Sequence, residues 1–308
     1  MQNEIAMSEF TEASVPDQSE RIALVTGANT GIGYEAARVL AAKNARVLLA
    51  CRSDEKARAA RDQILGIHPD ADIELVPLDL RSLESVRRAA DRVAEEPRLD
   101  LLINNAGIMF PPREETAEGF ESQFGVNHLG HFALNARLMD KVRATLGSRV
   151  VTVSSNAHRF GTIDFDDVHA ERGYRKMGRY CMSKLANLLC AHELQRRFEA
   201  ASVDAISVAS HPGGSPTELS RHTAKLAMTL SAPLLAILTH PPAEAAMTTV
   251  RAATDPDAKG GDYFGPGGFT SMVGPPVLQK PSAASRDPEL AERLWDLSIE
   301  LTGVDPGL

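Results

Sequence analysis

The chain has 308 residues, 43% of them hydrophobic and 24% charged, and its 33 Lys and Arg against 41 Asp and Glu give a formal charge of −8. That acidic balance excludes a protein whose main work is gripping a polyanion, because phosphate-backbone binding draws its affinity from clustered Lys and Arg. Cys51, Cys181 and Cys190 are odd in number and lack C-x-x-C spacing, so neither a disulfide framework nor a zinc knuckle is predicted, and a reducing, cytoplasmic setting fits best.

Residues 1–20 hold five acidic side chains and no Lys or Arg, the reverse of a secretory leader, and read as a disordered or loosely docked tail. From Arg21 onward, short apolar runs alternate with helical patterns. Strands are predicted near 21–26, 46–51, 73–77, 99–103, 149–153, 203–209 and 262–264. Each is followed by a predicted helix, near 31–43, 54–65, 82–95, 117–145, 179–200, 241–253 and 287–301. Runs such as IALVT, RVLLA and RVVTV are apolar on both faces, as strands covered on two sides must be. The prediction is an α/β fold: one Rossmann-type doubly wound parallel sheet of about seven strands, filling 21–308, with helices on both faces. Two segments interrupt the rhythm: a long polar connection at 156–178, and 214–240, whose amphipathic pattern suggests a substrate lid or an extra packed helix. The longest apolar stretch, Leu226 to Leu238, is too short to span a bilayer and contains Pro233.

The first strand runs into Gly27-Ala-Asn29-Thr30-Gly31-Ile32-Gly33, where a helix opens. Glycines there let the backbone approach a pyrophosphate, whose charge meets the free N–H groups of the helix start. At the end of the second strand, where an NAD-binding fold usually places an acid on the ribose, this chain has Cys51-Arg52-Ser53. Arg52 would pair with a 2′-phosphate, so NADP is preferred over NAD, although a solvated arginine is the commoner fate. Asp79, beside Leu80, reads as an acceptor for an adenine amine or as the cap of the helix starting near Ser82.

The fourth strand ends in Asn104-Asn105-Ala106-Gly107, which would support the cofactor, and the fifth ends in Ser154-Ser155. Tyr180 and Lys184 lie four apart, so on a helix they share a face. A cation about 4 Å from a phenol, at an effective dielectric of about 20, is worth roughly 4 kcal/mol, enough to lower a phenol pKa near 10 by two or three units. Tyr180 would then serve as general acid and base, Lys184 would lower its pKa and hold the nicotinamide ribose, Ser155 would orient the reacting oxygen, and Asn127 would hold a water that carries protons from the lysine. Singly, each has a plain alternative: a solvated helix face, a turn cap, a helix breaker. The scattered histidines form no metal-ligand pattern, so no metal is predicted, and His128 reads as a packing residue near the cofactor helix.

These motifs together, with N-H-L-G-H-F at 127–132, V-S-S-N-A-H at 153–158 and H-P-G at 211–213, resemble the short-chain dehydrogenase/reductase family, and more narrowly its retinol-dehydrogenase-like and WW-domain-oxidoreductase-like branch. The resemblance covers about residues 20–300 and implies an NAD(P)-dependent oxidoreductase with a tetrad at Asn127, Ser155, Tyr180 and Lys184. It also implies cofactor contacts from Pro212, Gly213 and Gly214, the last through its backbone to the carboxamide, and from Thr217 to the phosphates. A homodimer or homotetramer through the helices at 117–145 and 179–200 is a family tendency. The activity expected is hydride transfer between NADPH and a carbonyl or alcohol carbon of an apolar, even polyketide-like, small molecule. The alternatives are an NADP(H)-sensing protein without catalysis and a carbon–carbon double-bond reductase.

Overall fold

The computed structural model describes residues 9–214, 239–268 and 270–308. Eight strands form one sheet in the order β3-β2-β1-β4-β5-β6-β7-β8. The first seven, β1 (Ile22–Thr26), β2 (Arg46–Cys51), β3 (Ile73–Pro77), β4 (Leu101–Asn104), β5 (Ser148–Val153), β6 (Ala205–Ser210) and β7 (Tyr263–Pro266), are parallel. The eighth, β8 (Pro276–Leu278), pairs antiparallel with β7 and was not expected. Three residues opening on proline at a sheet edge leave no apolar run to detect.

Alternation along the strands sorts the core into two layers. Ile22, Leu24, Leu48, Leu102 and Val150 pack beneath α3 (Leu83–Ala94), α4 (Gly130–Ala144), α5 (Lys176–Ala200) and α7 (Pro288–Thr302). Ala23, Val25, Val47, Leu49, Ile103 and Val151 pack beneath α1 (Gly31–Ala42), α2 (Asp54–Ile67) and α6 (Pro242–Thr254). β1 sits between β2 and β4, where the winding direction reverses, so the loops at the carboxyl ends of β1 and β4 frame a crevice.

Two local expectations change, and a third lies outside the described residues. The described part of the acidic tail, 9–20, is docked: Val15 is buried against Ala36, Val39, Ala246 and Val250, and Glu12 takes Arg38 through two bonds of 3.1 and 2.8 Å. One valine and one ion pair leave no mark on composition. The helix expected from 117 starts at Ser122, where the Glu121 carboxylate accepts from the N–H groups of Gln123 and Phe124, and it passes through a π turn, Gly125–Leu129, before α4. The lid expected at 214–240 falls, apart from its ends, on 215–238, outside the described residues.

α7 lies over the helices that the family tendency reserves for a second subunit. Trp295 meets Phe132 edge-on at 5.1 Å and carries Arg197 over its face at 4.6 Å, while Ala291 and Leu294 join the cluster of Leu185 and Leu189. His128 donates from Nε2 to the Ser298 hydroxyl at 2.8 Å, since that hydroxyl spends its own hydrogen on the Leu294 carbonyl. His128 therefore holds the C-terminal helix, not the cofactor helix. Among the described residues no helix is long and apolar enough to cross a membrane, and no group of three His, Cys, Asp or Glu could hold a metal.

Candidate active site

The glycine turn is built for close approach. Gly27 and Gly31 have φ of +67° and +59°, and a Cβ on Gly33 would stand 2.3 Å from Asn105 Nδ2 and 2.6 Å from the Gly27 carbonyl. Thr30 precedes α1 without a side-chain cap, so the first N–H groups of that helix keep no side-chain acceptor, and Asn29, Thr30 and Ile32 are only partly buried. A cleft with uncapped donors and no room for a Cβ fits a dinucleotide diphosphate. Thr26 ties the two loops of the crevice together: its hydroxyl accepts from the N–H groups of Asn105 and Ala106, both at 2.9 Å, and its carbonyl accepts from Asn105 Nδ2 at 2.8 Å. Asn104 supports from within, donating to Asn135 at 2.9 Å.

The tetrad converges. Asn127, fully buried in the π turn, donates to the Ile108 carbonyl and the Ser183 hydroxyl, both at 3.0 Å, and accepts from Ile108 N–H at 2.8 Å. Ser183 in turn donates to the Tyr180 carbonyl at 2.8 Å. A Cβ placed on Gly107 would lie 3.2 Å from Asn127 Oδ1 and 3.5 Å from Lys184 Nζ, so amide and ammonium flank the same bare stretch of backbone. Ser155 caps the 3-10 turn Asn156–Phe160, its oxygen accepting from Ala157 N–H at 3.2 Å. The same hydroxyl acts on the Tyr180 phenol as a hydrogen-bonding group and favours its ionised form.

The electrostatics differ from the sequence expectation. Burial acts first on both partners: it pushes the Tyr180 phenol up to about 12 and the Lys184 ammonium down to about 8. Lys184 Nζ stands 5.8 Å from the ring centroid and donates to the Val153 carbonyl at 3.2 Å. Ser155, not Lys184, is the group that opposes the rise of the phenol.

Arg52 is exposed at the end of β2, and no carboxylate among the described residues pairs with it. Asp79 accepts from Arg81 N–H at 3.0 Å and does not cap α3; Ser82 does. Leu80 is buried against Gly130. The Gly214 N–H donates to the Met272 carbonyl at 2.8 Å, and its carbonyl accepts from His240 N–H at 2.9 Å. The Pro212 carbonyl is bonded to His240 Nε2 at 2.7 Å, and Gly213, at φ +72°, has the Met272 carbonyl 2.2 Å from where a Cβ would stand. These bonds tie the loop after β6 to Met272 and His240. Thr217 lies outside the described residues.

Several contributors escape sequence reasoning. Phe110 meets Tyr180 edge-on at 5.3 Å from a left-handed backbone, φ +59°, that an aromatic residue rarely adopts. Gln123 holds it there, accepting Phe110 N–H and donating to Tyr174 and the Lys176 carbonyl, all at 3.0 Å. His158 donates from Nδ1 to the Ser155 carbonyl at 2.7 Å and accepts Ser282 N–H at 3.1 Å. Of these, only His158 lies within a family motif, V-S-S-N-A-H; Gln123 and Phe110 lie in none.

Residues 21–226 match the family model described as short chain dehydrogenase. The chain belongs to that family. It is 40% identical over 303 residues to Retinol dehydrogenase 13 of Homo sapiens, covering 96% of this chain and 87% of that one. This short-chain dehydrogenase thus falls in the retinol-dehydrogenase-like branch and is an oxidoreductase of CH–OH groups. A crystal structure of an uncharacterized protein from Mycobacterium paratuberculosis superposes with a TM-score of 0.82 at 37% identity, covering 98% of this chain and 100% of that one. A short chain dehydrogenase from Shigella flexneri 2a, solved in complex with NADP, gives 0.62 at 25% identity, covering 80% and 96%.

Proposed function

We propose that this short-chain dehydrogenase moves hydride between NADP(H) and the carbonyl or alcohol carbon of an apolar small molecule, with Tyr180 as general acid and base. The observation that carries the proposal is that Asn127 Oδ1 and Lys184 Nζ flank Gly107, 3.2 and 3.5 Å from where a Cβ would stand, with the buried Tyr180 ring 5.8 Å from that ammonium and Ser155 favouring its ionised form. Bound nicotinamide supplies or accepts the hydride. The chain's own residues do the rest: Tyr180 gives or takes the proton at the substrate oxygen, Ser155 donates a hydrogen bond to that oxygen, and Lys184 holds positive charge next to both. Gly27, Gly31 and Gly33 admit the diphosphate, Asn105, Ala106 and Gly107 line the path to the ribose, and Asp79 with Leu80 faces the adenine.

NADP is favoured over NAD by three features that agree: a neutral Cys51 where an acid would otherwise meet the ribose, an exposed Arg52 with no carboxylate partner among the described residues, and NADP in the Shigella flexneri neighbour. The edge of Phe110 against Tyr180 gives the pocket an apolar wall, in keeping with relatives named for retinol. Three unpaired cysteines suit a reducing cytoplasm.

Assay of the purified protein with retinal and with aliphatic and aromatic aldehydes and ketones, under NADPH and NADH, is expected to yield turnover of an apolar carbonyl with NADPH. Silence across that panel would remove the reading. Arg52→Asp is expected to lower the NADP-over-NAD ratio of kcat/KM about tenfold or more, the worth of a charge-assisted hydrogen bond of about 1.5–3 kcal/mol. An unchanged ratio would show that the arginine does not meet the cofactor.

A further inference from the structure

His131 lies one turn beyond Asn127 in α4, 4% exposed, and each of its ring nitrogens has a partner. Nδ1 stands 3.1 Å from the Asn127 carbonyl oxygen, and Nε2 stands 2.9 Å from the Thr26 hydroxyl. A carbonyl only accepts, so Nδ1 must carry hydrogen. The Thr26 oxygen already accepts the N–H groups of Asn105 and Ala106, and its own hydrogen has two acceptors in reach, Nε2 at 2.9 Å and, farther off, the Ile103 carbonyl at 3.3 Å. The network therefore admits one tautomer, and burial, which holds the imidazole down at about 4, keeps it uncharged.

His131 adds a side-chain tie to the one that the 105–108 backbone already makes between these two places. Thr26 ends β1 and organises the crevice loops that carry Gly27, Asn105 and Ala106; Asn127 sits in the π turn and pins Ile108 beside Gly107. We propose that His131 is a positioning residue: with its single hydrogen on Nδ1 it fastens the catalytic turn at Asn127 to the cofactor loop at Thr26, so that neither can shift without the other. The inference rests on the oxidoreductase reading for its consequence in turnover but not for its geometry. The two ends of the ring have separable tasks, the Nδ1 end holding the Asn127 turn and the Nε2 end holding the loop at Thr26, Asn105 and Ala106.

The test uses the full chain and two variants. Long-range proton–nitrogen spectra of the wild type should show His131 as the Nδ1–H tautomer; the Nε2–H tautomer would overturn the proposal. His131→Phe removes both bonds and is expected to speed amide exchange at Asn105 and Ala106, to lower kcat at least tenfold and to weaken NADPH binding, measured by calorimetry, at least threefold. His131→Asn, which keeps a donor near the Nδ1 position and loses the reach to Thr26, should recover kcat while leaving exchange and NADPH binding impaired. If His131→Phe is folded and changes only its melting temperature, or if His131→Asn recovers nothing, the residue merely fills space and the inference fails. A wild type that binds no nicotinamide nucleotide would defeat the functional reading instead, with the tautomer and the exchange rates still deciding the inference.

Discussion

Tyr180→Phe is expected to cut turnover by about 10²- to 10⁴-fold, the usual contribution of a positioned acid or base, while NADPH binding stays within a few-fold of the wild type. The variant deletes one oxygen from a ring that is otherwise retained. Its edge contact with Phe110 and its place beneath the Lys184 ammonium survive, so the fold has no reason to open. Ser155 would lose its partner and remain a cap for Ala157. The wild-type pH profile carries a sign of its own. Reduction requires a protonated phenol and is helped by a charged lysine. The phenol, near 12, stays protonated throughout the neutral range, whereas the ammonium, near 8, is charged below that value and neutral above it. Carbonyl reduction should therefore fall as pH rises through about 8. Steady-state kcat/KM against pH checks this, and a flat profile to pH 10 would deny Lys184 its part. Turnover left intact in Tyr180→Phe would refute the proton assignment outright.

Gly33→Ala should be nearly as damaging, through the cofactor and not through the proton. The added carbon would stand 2.3 Å from Asn105 Nδ2 and 2.6 Å from the Gly27 carbonyl, and the second of these is backbone that cannot swing away. Relief means moving α1 off the sheet or breaking the bond of Asn105 to the Thr26 carbonyl. Overpacking of this kind costs about 1–3 kcal/mol. Where it falls on the dinucleotide turn, that strain weakens NADPH by about 5- to 150-fold, at tenfold per 1.4 kcal/mol. Gly66→Ala in α2, where an added Cβ meets nothing within 4 Å, is the matched control and should be neutral or slightly stabilising. Calorimetric titration of both variants with NADPH makes the comparison, and equal affinities would mean that the turn tolerates a side chain.

The parallel strands were legible chiefly through near-continuous apolar runs such as those of β1, β2 and β4, as a sheet covered on both faces favours. The glycine turn and the Ser155, Tyr180 and Lys184 set were legible because their chemistry is tied to strand and helix ends. What stayed hidden depends on contacts between residues far apart in the chain, which leave no period behind. Thr26 meets His131 across 105 positions and Ala106 across 80. The left-handed Phe110 is held by Gln123, and the docking of 9–20 rests on Val15 and Glu12. The upward push on the Tyr180 phenol is hidden for the same reason. Spacing on a helix gave the neighbouring cation, but the burial that dominates both groups belongs to the folded packing alone.

The C-terminal helix carries a consequence for how such a molecule can be shortened or joined to others. A molecule joined along α4 and α5 would meet an indole and the guanidinium stacked upon it rather than bare helix surface. The imidazole of His128, gripping Ser298, also sits next in sequence to Asn127. Trimming the polypeptide at 287 would thus uncover oily helix surface and, through that one grip, loosen the floor under the reacting groups.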